Sequence, residues 1–262
     1  MIILIFLFFS CARVSYRDAS QVTRNEDILF GYSYTEESEQ ETLHRGSLQE
    51  QAQLFWLRGI SRYDVDDFVQ ARALGFACIQ EQTGFTVEQL QKNVLRETSF
   101  VQPDTRDCTK EYASEVIPIP ISAKHVACVT WMLLSWSKLQ QWYQLDEVMV
   151  HADLMLLLSA WLVEQEPCIH NSWTRFAIVM GVLQTISVET KASGEEREAY
   201  ATQLLSTLWN DEHIGQYVRL WYIKFRLQQG DVSAKQKKEW LLELSRYTTS
   251  HPEHTELMQL LP

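Results

Sequence analysis

From Ser47 to the C-terminus, apolar residues recur every three or four positions, and no stretch sustains the alternation of a half-buried strand. A period near 3.6 is that of amphipathic helices, so the chain is expected to be all-α. Leu54, Leu57 and Ile60, with Phe55 and Trp56 beside them, mark a first helix in which Gly59 would let another backbone approach. After a break at Tyr63-Asp64, a second helix is expected from about Val65 to Gln80, with Phe68, Ala71, Leu74, Gly75 and Cys78 on its packing side. Gly84 ends that pair and Thr86 caps a short helix. The stretch from Ser99 to Pro120 carries Pro103, Pro118 and Pro120 and reads as a long loop.

The most apolar sequence follows. Ser122 caps a helix to about Tyr143 with Val126, Val129, Leu133 and Trp136 on one face and Cys128, Trp131, Leu139 and Trp142 on a second. A helix apolar on two faces is packed on both. Leu145 to Glu164 contains ADLMLLLSAWLV, too short and too flanked by charge to span a bilayer, and Pro167 closes it. Further helices are expected at about Cys168 to Ser187, Gly194 to Trp209, Glu212 to Gln229, Ser233 to Tyr247 and Pro252 to Leu261.

Antiparallel helices joined by short turns suggest a repeat array. In the tetratricopeptide pattern a small residue of the first helix lies twelve before an alanine of the second, where the two cross closely. Gly59 and Ala71 satisfy that spacing, and Cys78 supplies the later small position. Elsewhere the pattern decays: Gly181 and Ala199 are eighteen apart, as if VETKAS were inserted, and Trp240 stands where alanine is expected. The expectation is a degenerate, TPR-like array of antiparallel helix pairs over residues 47–262.

Ahead of it the chain reads MIILIFLFFSCARVSYRDAS. A bilayer-spanning helix takes roughly 17 to 25 apolar residues, more than Met1 to Phe9 provides. The strip has the length of a secretion signal's apolar core. Phe8-Phe9-Ser10-Cys11 resembles the lipobox of bacterial lipoproteins, in which the signal is removed before a cysteine that is then acylated. That resemblance implies a signal peptide over residues 1–10 and lipidation at Cys11; an ordinary cleaved signal and a non-exported structural segment are the alternatives. Ala12 to Gly46, with the acidic stretch TEESEQET, shows no core-forming period. Residues 11–46 are therefore expected to be a flexible tether.

Net charge is -11 and the isoelectric point about 5.1, which argues against nucleic acid or anionic lipid as the principal ligand. Cys78, Cys108, Cys128 and Cys168 are widely spaced with no CxxC, and most sit beside apolar helical pattern, so buried free thiols are expected. No constellation suggests an enzyme. His251, Glu253, His254 and Glu256 are interrupted by Pro252, and no HExxH is present, so no metal or other cofactor is expected. His151 and Asp153 diverge on a helix. Cys168 and His170 lack a nucleophile signature, and His170 near Trp173 reads as a packing residue.

The order of ARALGFACIQEQTGF (Ala71 to Phe85), IPISAKHVACVTWMLLSWSKL (Ile119 to Leu139), the leucine-rich helix to Pro167 and YVRLWYIKFRLQQGD (Tyr217 to Asp231) resembles the TatT-type lipoproteins. These are TPR-like proteins associated with TRAP transporters. The double-tryptophan helix, Trp131 and Trp136, and the Gly230-Asp231 turn carry the likeness, whereas PCIHNSW (Pro167 to Trp173) replaces a glycine-rich turn. The resemblance implies a periplasmic scaffold, lipid-anchored to the membrane, that engages the transporter's substrate-binding protein and shelters a small, partly apolar ligand. It is compatible with a homo-oligomer. A general TPR-like scaffold for envelope assembly is the alternative.

The chain has nine tryptophans, a high number, and core filling is the expected role of most of them. Trp131, Trp136 and Trp173 are nevertheless the candidates for ligand or partner contact, because a helical array leaves a concave face where amphipathic aromatics suit a peptide.

Overall fold

The computed structural model describes residues 35–93, 114, 116–117, 123–140, 142, 152–165, 171–185, 191–209, 216–230, 232–246 and 251–261. The expected signal peptide, Cys11 and the first part of the tether lie outside the described residues, as do Cys108, His151, Cys168 and His170. Among the described residues the regular structure is entirely helical. The helices are α1 (Glu36–Arg45), α2 (Leu48–Arg62), α3 (Val65–Thr83), α4 (Val87–Lys92), α5 (Ala123–Leu139) and α6 (Ala152–Gln165). They continue as α7 (Ser172–Thr185), α8 (Lys191–Trp209), α9 (Gln216–Gln229), α10 (Ala234–Leu244) and α11 (Pro252–Leu260). The all-α class is as the sequence predicts. None of these helices is long and apolar enough to cross a membrane.

The tether ends earlier than expected. Thr35 begins α1 with a reciprocal capping box to Ser38, three acidic residues follow in the first turn, and His44 and Arg45 occupy the last. These charges complement the helix dipole at both ends. The helix buries none of its residues. Its attachment is ionic, with Leu43 packed half-buried against the core: Glu39 Oε1 accepts from Arg58 Nη1 at 2.5 Å and its other oxygen from Arg62 at 3.4 Å. Lack of burial therefore did not mean lack of structure.

Capping chemistry sets the next boundaries. Ser47 and Glu50 form a capping box at the start of α2, and Thr86 and Gln89 form one at α4. Gly84 closes α3 in the left-handed region at φ 74°, where a side chain is strained. Tyr63 closes α2 in the same region, at φ 55°. Such a conformation is uncommon for a non-glycine residue and marks a place where the surroundings hold the chain.

Helices α2 and α3 form a hairpin. Gly59 does admit a close neighbour, but it is a ring and not a backbone: a Cβ there would lie 2.9 Å from the Phe68 ring. The close backbone approach is at Gly75, where a Cβ would come within 2.9 Å of Met132 Cα and 3.1 Å of its nitrogen. Phe68 faces Trp142, Gly75 faces Met132 and Cys78 faces Cys128, so α3 and α5 run antiparallel. Cys78 and Cys128 are joined in a disulfide with Cα atoms 5.7 Å apart. The expectation of free thiols is corrected here: small residues at Gly75 and Cys78 bring the two helices within bridging distance.

Beyond this pair, packing centres on α5 and α7. Helix α5 lies against α2, α3, α6 and α7, and α8 lies against α7 and α9. The two-faced pattern of α5 is realised, with every residue from Cys128 to Leu139 buried. The segment expected as an insertion, VETKAS, ends inside α8, which begins at Lys191. Helix α11 packs on α9 and α10, and its start reaches back to α2: His251 Nε2 lies 2.8 Å from the Ile60 carbonyl oxygen.

Candidate functional site

One lysine interrupts the apolar sequence TWMLLSWSKL, and the last turn of α5 carries it inward. Lys138 is 2% exposed and pairs with Glu253, from the first turn of α11 and itself buried. Three rings surround the ammonium: Tyr63, Trp142 and Tyr217 have centroids 5.4, 5.6 and 5.5 Å from Nζ. A cation set over ring faces is attracted by their quadrupoles, and more strongly once desolvated. The box draws on four places in the chain: the end of α2, the end of α5, the start of α9 and the start of α11.

Its electrostatics are coupled. Burial works against the Glu253 charge, but Lys138, with His251 and Lys224 behind it, outweighs burial and holds the carboxyl at about 2. Burial lowers the Lys138 ammonium, and Glu253 opposes that pull. Burial raises the Tyr217 phenol, helped by the Glu253 charge. Tyr217 also accepts a hydrogen bond from Trp221 Nε1 at 2.8 Å and is hydrogen-bonded to Glu253. The Tyr63 phenol is raised for the same two reasons, burial first and Glu253 second. The group is a neutralised ion pair with phenols that stay protonated at physiological pH.

The two histidines of HPEHTE flank Glu253, and the His251 charge adds to the pull on its carboxyl. His251 Nε2 bonds the Ile60 carbonyl and His254 Nε2 bonds the Leu244 carbonyl at 3.1 Å. Each Nε2 is thus committed to the backbone of a neighbouring element. Among the described residues no three His, Cys, Asp or Glu side chains are grouped to hold a metal ion.

The sequence-derived candidates lie elsewhere. Trp131 and Trp136 are buried, at 3% and 2% exposure, while Trp173 is half-buried. Trp131 and Trp173 share one cluster, 6.2 Å apart, in which Trp56 sits between them and Tyr217. Trp136 points the other way, onto Phe76 of α3. The three therefore do not converge on one surface. Phe176 continues the cluster to Tyr217 and Trp221, so α2, α5, α7 and α9 meet through aromatic rings.

A second ionic site lies in the same C-terminal half of α2. Arg58 Nε and Nη2 grip Asp67 at 2.6 to 3.0 Å, and its Nη1 holds Glu39. Burial opposes the Arg58 charge, but the two carboxylates raise it overall. Its geometry serves to dock α1 and α3 onto α2.

Sequence reasoning missed the Lys138 box. The available signal was a lone charge in an otherwise apolar helix, which must be partnered when buried; the partner, 115 residues away, had no signal of its own. Comparison of the chain with protein-family models, characterised proteins and solved structures returns no match.

Proposed function

We propose that this chain is an exported, lipid-anchored scaffold of the bacterial envelope that works by binding, as an accessory to a TRAP transporter whose substrate-binding protein it engages. The observation that carries the compartment is the Cys78–Cys128 bridge across the α3 and α5 crossing. Structural disulfides persist in oxidising compartments and are rare in reducing ones. That agrees with the apolar strip before Cys11, which would place the anchor on the periplasmic face.

Binding as the mode of action rests on composition of the core. The polar groups at its centre are locked in pairs, Lys138 with Glu253 and Thr130 with Thr174 at 2.9 Å, which suits a rigid holder. Antiparallel packing of α2 on α3 and of α3 on α5 supports the TPR-like part of the reading. The transporter as partner rests on the resemblance of the helix order to TatT-type lipoproteins. Contact with that partner is assigned to Trp173, the one of the three candidate tryptophans with accessible surface.

The test uses the full chain in a bacterial host. Wild type should incorporate labelled fatty acid and sediment with membranes, and Cys11→Ala should do neither. Affinity capture from native envelopes should recover a TRAP substrate-binding protein, and Trp173→Ala should reduce that recovery at least tenfold. Retention of Met1 in soluble protein would refute the anchor, and capture of envelope-assembly proteins instead would favour the general scaffold.

A further inference from the structure

We propose that α11 is a displaceable internal occupant of the Lys138 box, and that the box receives an acidic helical segment of a partner in its place. This rests on the reading of the chain as a binding scaffold and adds the chemistry of what is bound.

The receptor half is built by α2, α5 and α9. It offers one desolvated ammonium ringed by Tyr63, Trp142 and Tyr217, together with the Ile60 carbonyl as an acceptor. A buried ammonium requires an anion, because an unpaired charge in such a place is strongly unfavourable. The anion comes from the last helix of the chain. Tyr63 holds its ring in the box from a left-handed backbone conformation at φ 55°. Strain retained at one residue of a binding box, where a glycine would close the helix more easily, indicates that the ring is kept for what it contacts.

The occupant half has the properties of a ligand. Helix α11 has nine residues, below the length at which a helix holds its own shape in water. Its fold therefore depends on being docked. It enters with Pro252 at the first turn and His251 before it, places Glu253 on Lys138, and four residues later buries Leu257. Residues four apart share a helix face, so the recognition element reads as carboxylate, three intervening residues, apolar side chain. The opposite face, with Glu256, Gln259 and Leu260, is exposed. Its further ionic tie, Lys224 to Glu256 at 3.2 Å, is at the surface, where such pairs contribute little. A partner helix that presents the same carboxylate and apolar residue in the same register, with a donor ahead of them for the Ile60 carbonyl, would satisfy the box and compete with α11. Release of α11 also gives up the His254–Leu244 bond and the burial of Leu261.

The experiment uses the full chain and a synthetic peptide of residues 251–262. In wild type, α11 amides should exchange with deuterium at least 100-fold faster than those of α5. Glu253→Gln should accelerate α11 further while leaving α5 protection unchanged. The peptide should bind the Glu253→Gln chain, read by tryptophan fluorescence, at least tenfold more tightly than it binds wild type. A peptide carrying Gln at position 253 should bind that variant at least tenfold more weakly than the Glu peptide. A chain with both Lys138→Gln and Glu253→Gln should lose the preference between the two peptides. The inference is overturned if α11 exchanges as slowly as α5, if Glu253→Gln abolishes α5 protection as well, or if the two peptides bind the variant alike. None of these readouts involves a transporter component, so failure here is distinct from failure of envelope capture.

Discussion

Reducing the Cys78–Cys128 bridge should remove a large part of the protein's stability, and the size of the loss follows from the loop it closes. The two cysteines are separated by 50 positions in sequence, which in the chain-entropy treatment corresponds to about 4 kcal/mol at 298 K. Domains are commonly stable by roughly 5 to 15 kcal/mol, so the bridge would separate a robust protein from a marginal one. Both cysteines are buried, so reduction has to precede folding or accompany it. The assay is urea unfolding, followed by circular dichroism, of protein refolded with and without reductant. For a slope near 3 kcal/mol per molar urea, the midpoint should fall by about 1.4 M, and the slope should steepen in the reduced protein because its unfolded chain is less compact.

Using reduction and not substitution avoids a confounding cavity. Replacing either buried thiol by alanine would remove packing as well as the bridge. Thiol labelling supplies the second arm. Denatured but unreduced protein should leave Cys78 and Cys128 unmodified, and they should label only after reductant is added. Coincident urea curves, or labelling of both residues without reductant, would refute the cross-link and with it the compartment argument built on it.

Gly75→Ala should destabilise the protein by up to about 2 kcal/mol: alanine gains about 1 kcal/mol of helix propensity, but overpacking costs about 1 to 3 kcal/mol. The new methyl meets Met132 backbone atoms, which cannot rotate away, whereas at Gly59 it meets the Phe68 ring, so Gly59→Ala should cost less in the same urea assay. Acid should weaken the Lys138 box in a defined window. With the Glu253 carboxyl held at about 2 in the fold and near its ordinary 4.5 when unfolded, the unfolded chain binds the extra proton, so stability falls as pH drops from about 4.5 towards 2. The full difference corresponds to about 3 kcal/mol, and Glu253→Gln should flatten that limb of the pH–stability curve.

Much of the fold was legible because its signals are local. Gly84, Thr86 and Ser233 mark helix boundaries by their own chemistry, and the structure places caps at all three. The doubly apolar sequence of α5 announced a central helix for the same reason: a side chain on either face has to find a neighbour. The failures have a common cause. Helix α1 lacked an apolar stripe, and its stabilisation comes from Thr35 locally and from Arg58 in another helix. The disulfide depended on how closely α3 and α5 cross, which is set by Gly75 against Met132 and is not written in cysteine spacing.

The tryptophans read in the sequence chiefly as core filling, with contact as the second reading for Trp131, Trp136 and Trp173; the first two are buried and Trp173 is half-buried. Trp56, Trp131, Phe176 and Tyr217 are all buried and touch through rings across α2, α5, α7 and α9. Helix α11 then brings His251 and Glu253 to the ends of α2 and α5. A helical fold with this aromatic cluster at its centre has apolar surface to bury and meets that need first with its own residues. On the proposed reading of the chain as a binding scaffold, a partner would have to use the half-buried margin at Trp173 or compete with a segment already seated. The second route demands a charge the apolar core cannot supply, and Lys138 is where the chain keeps one.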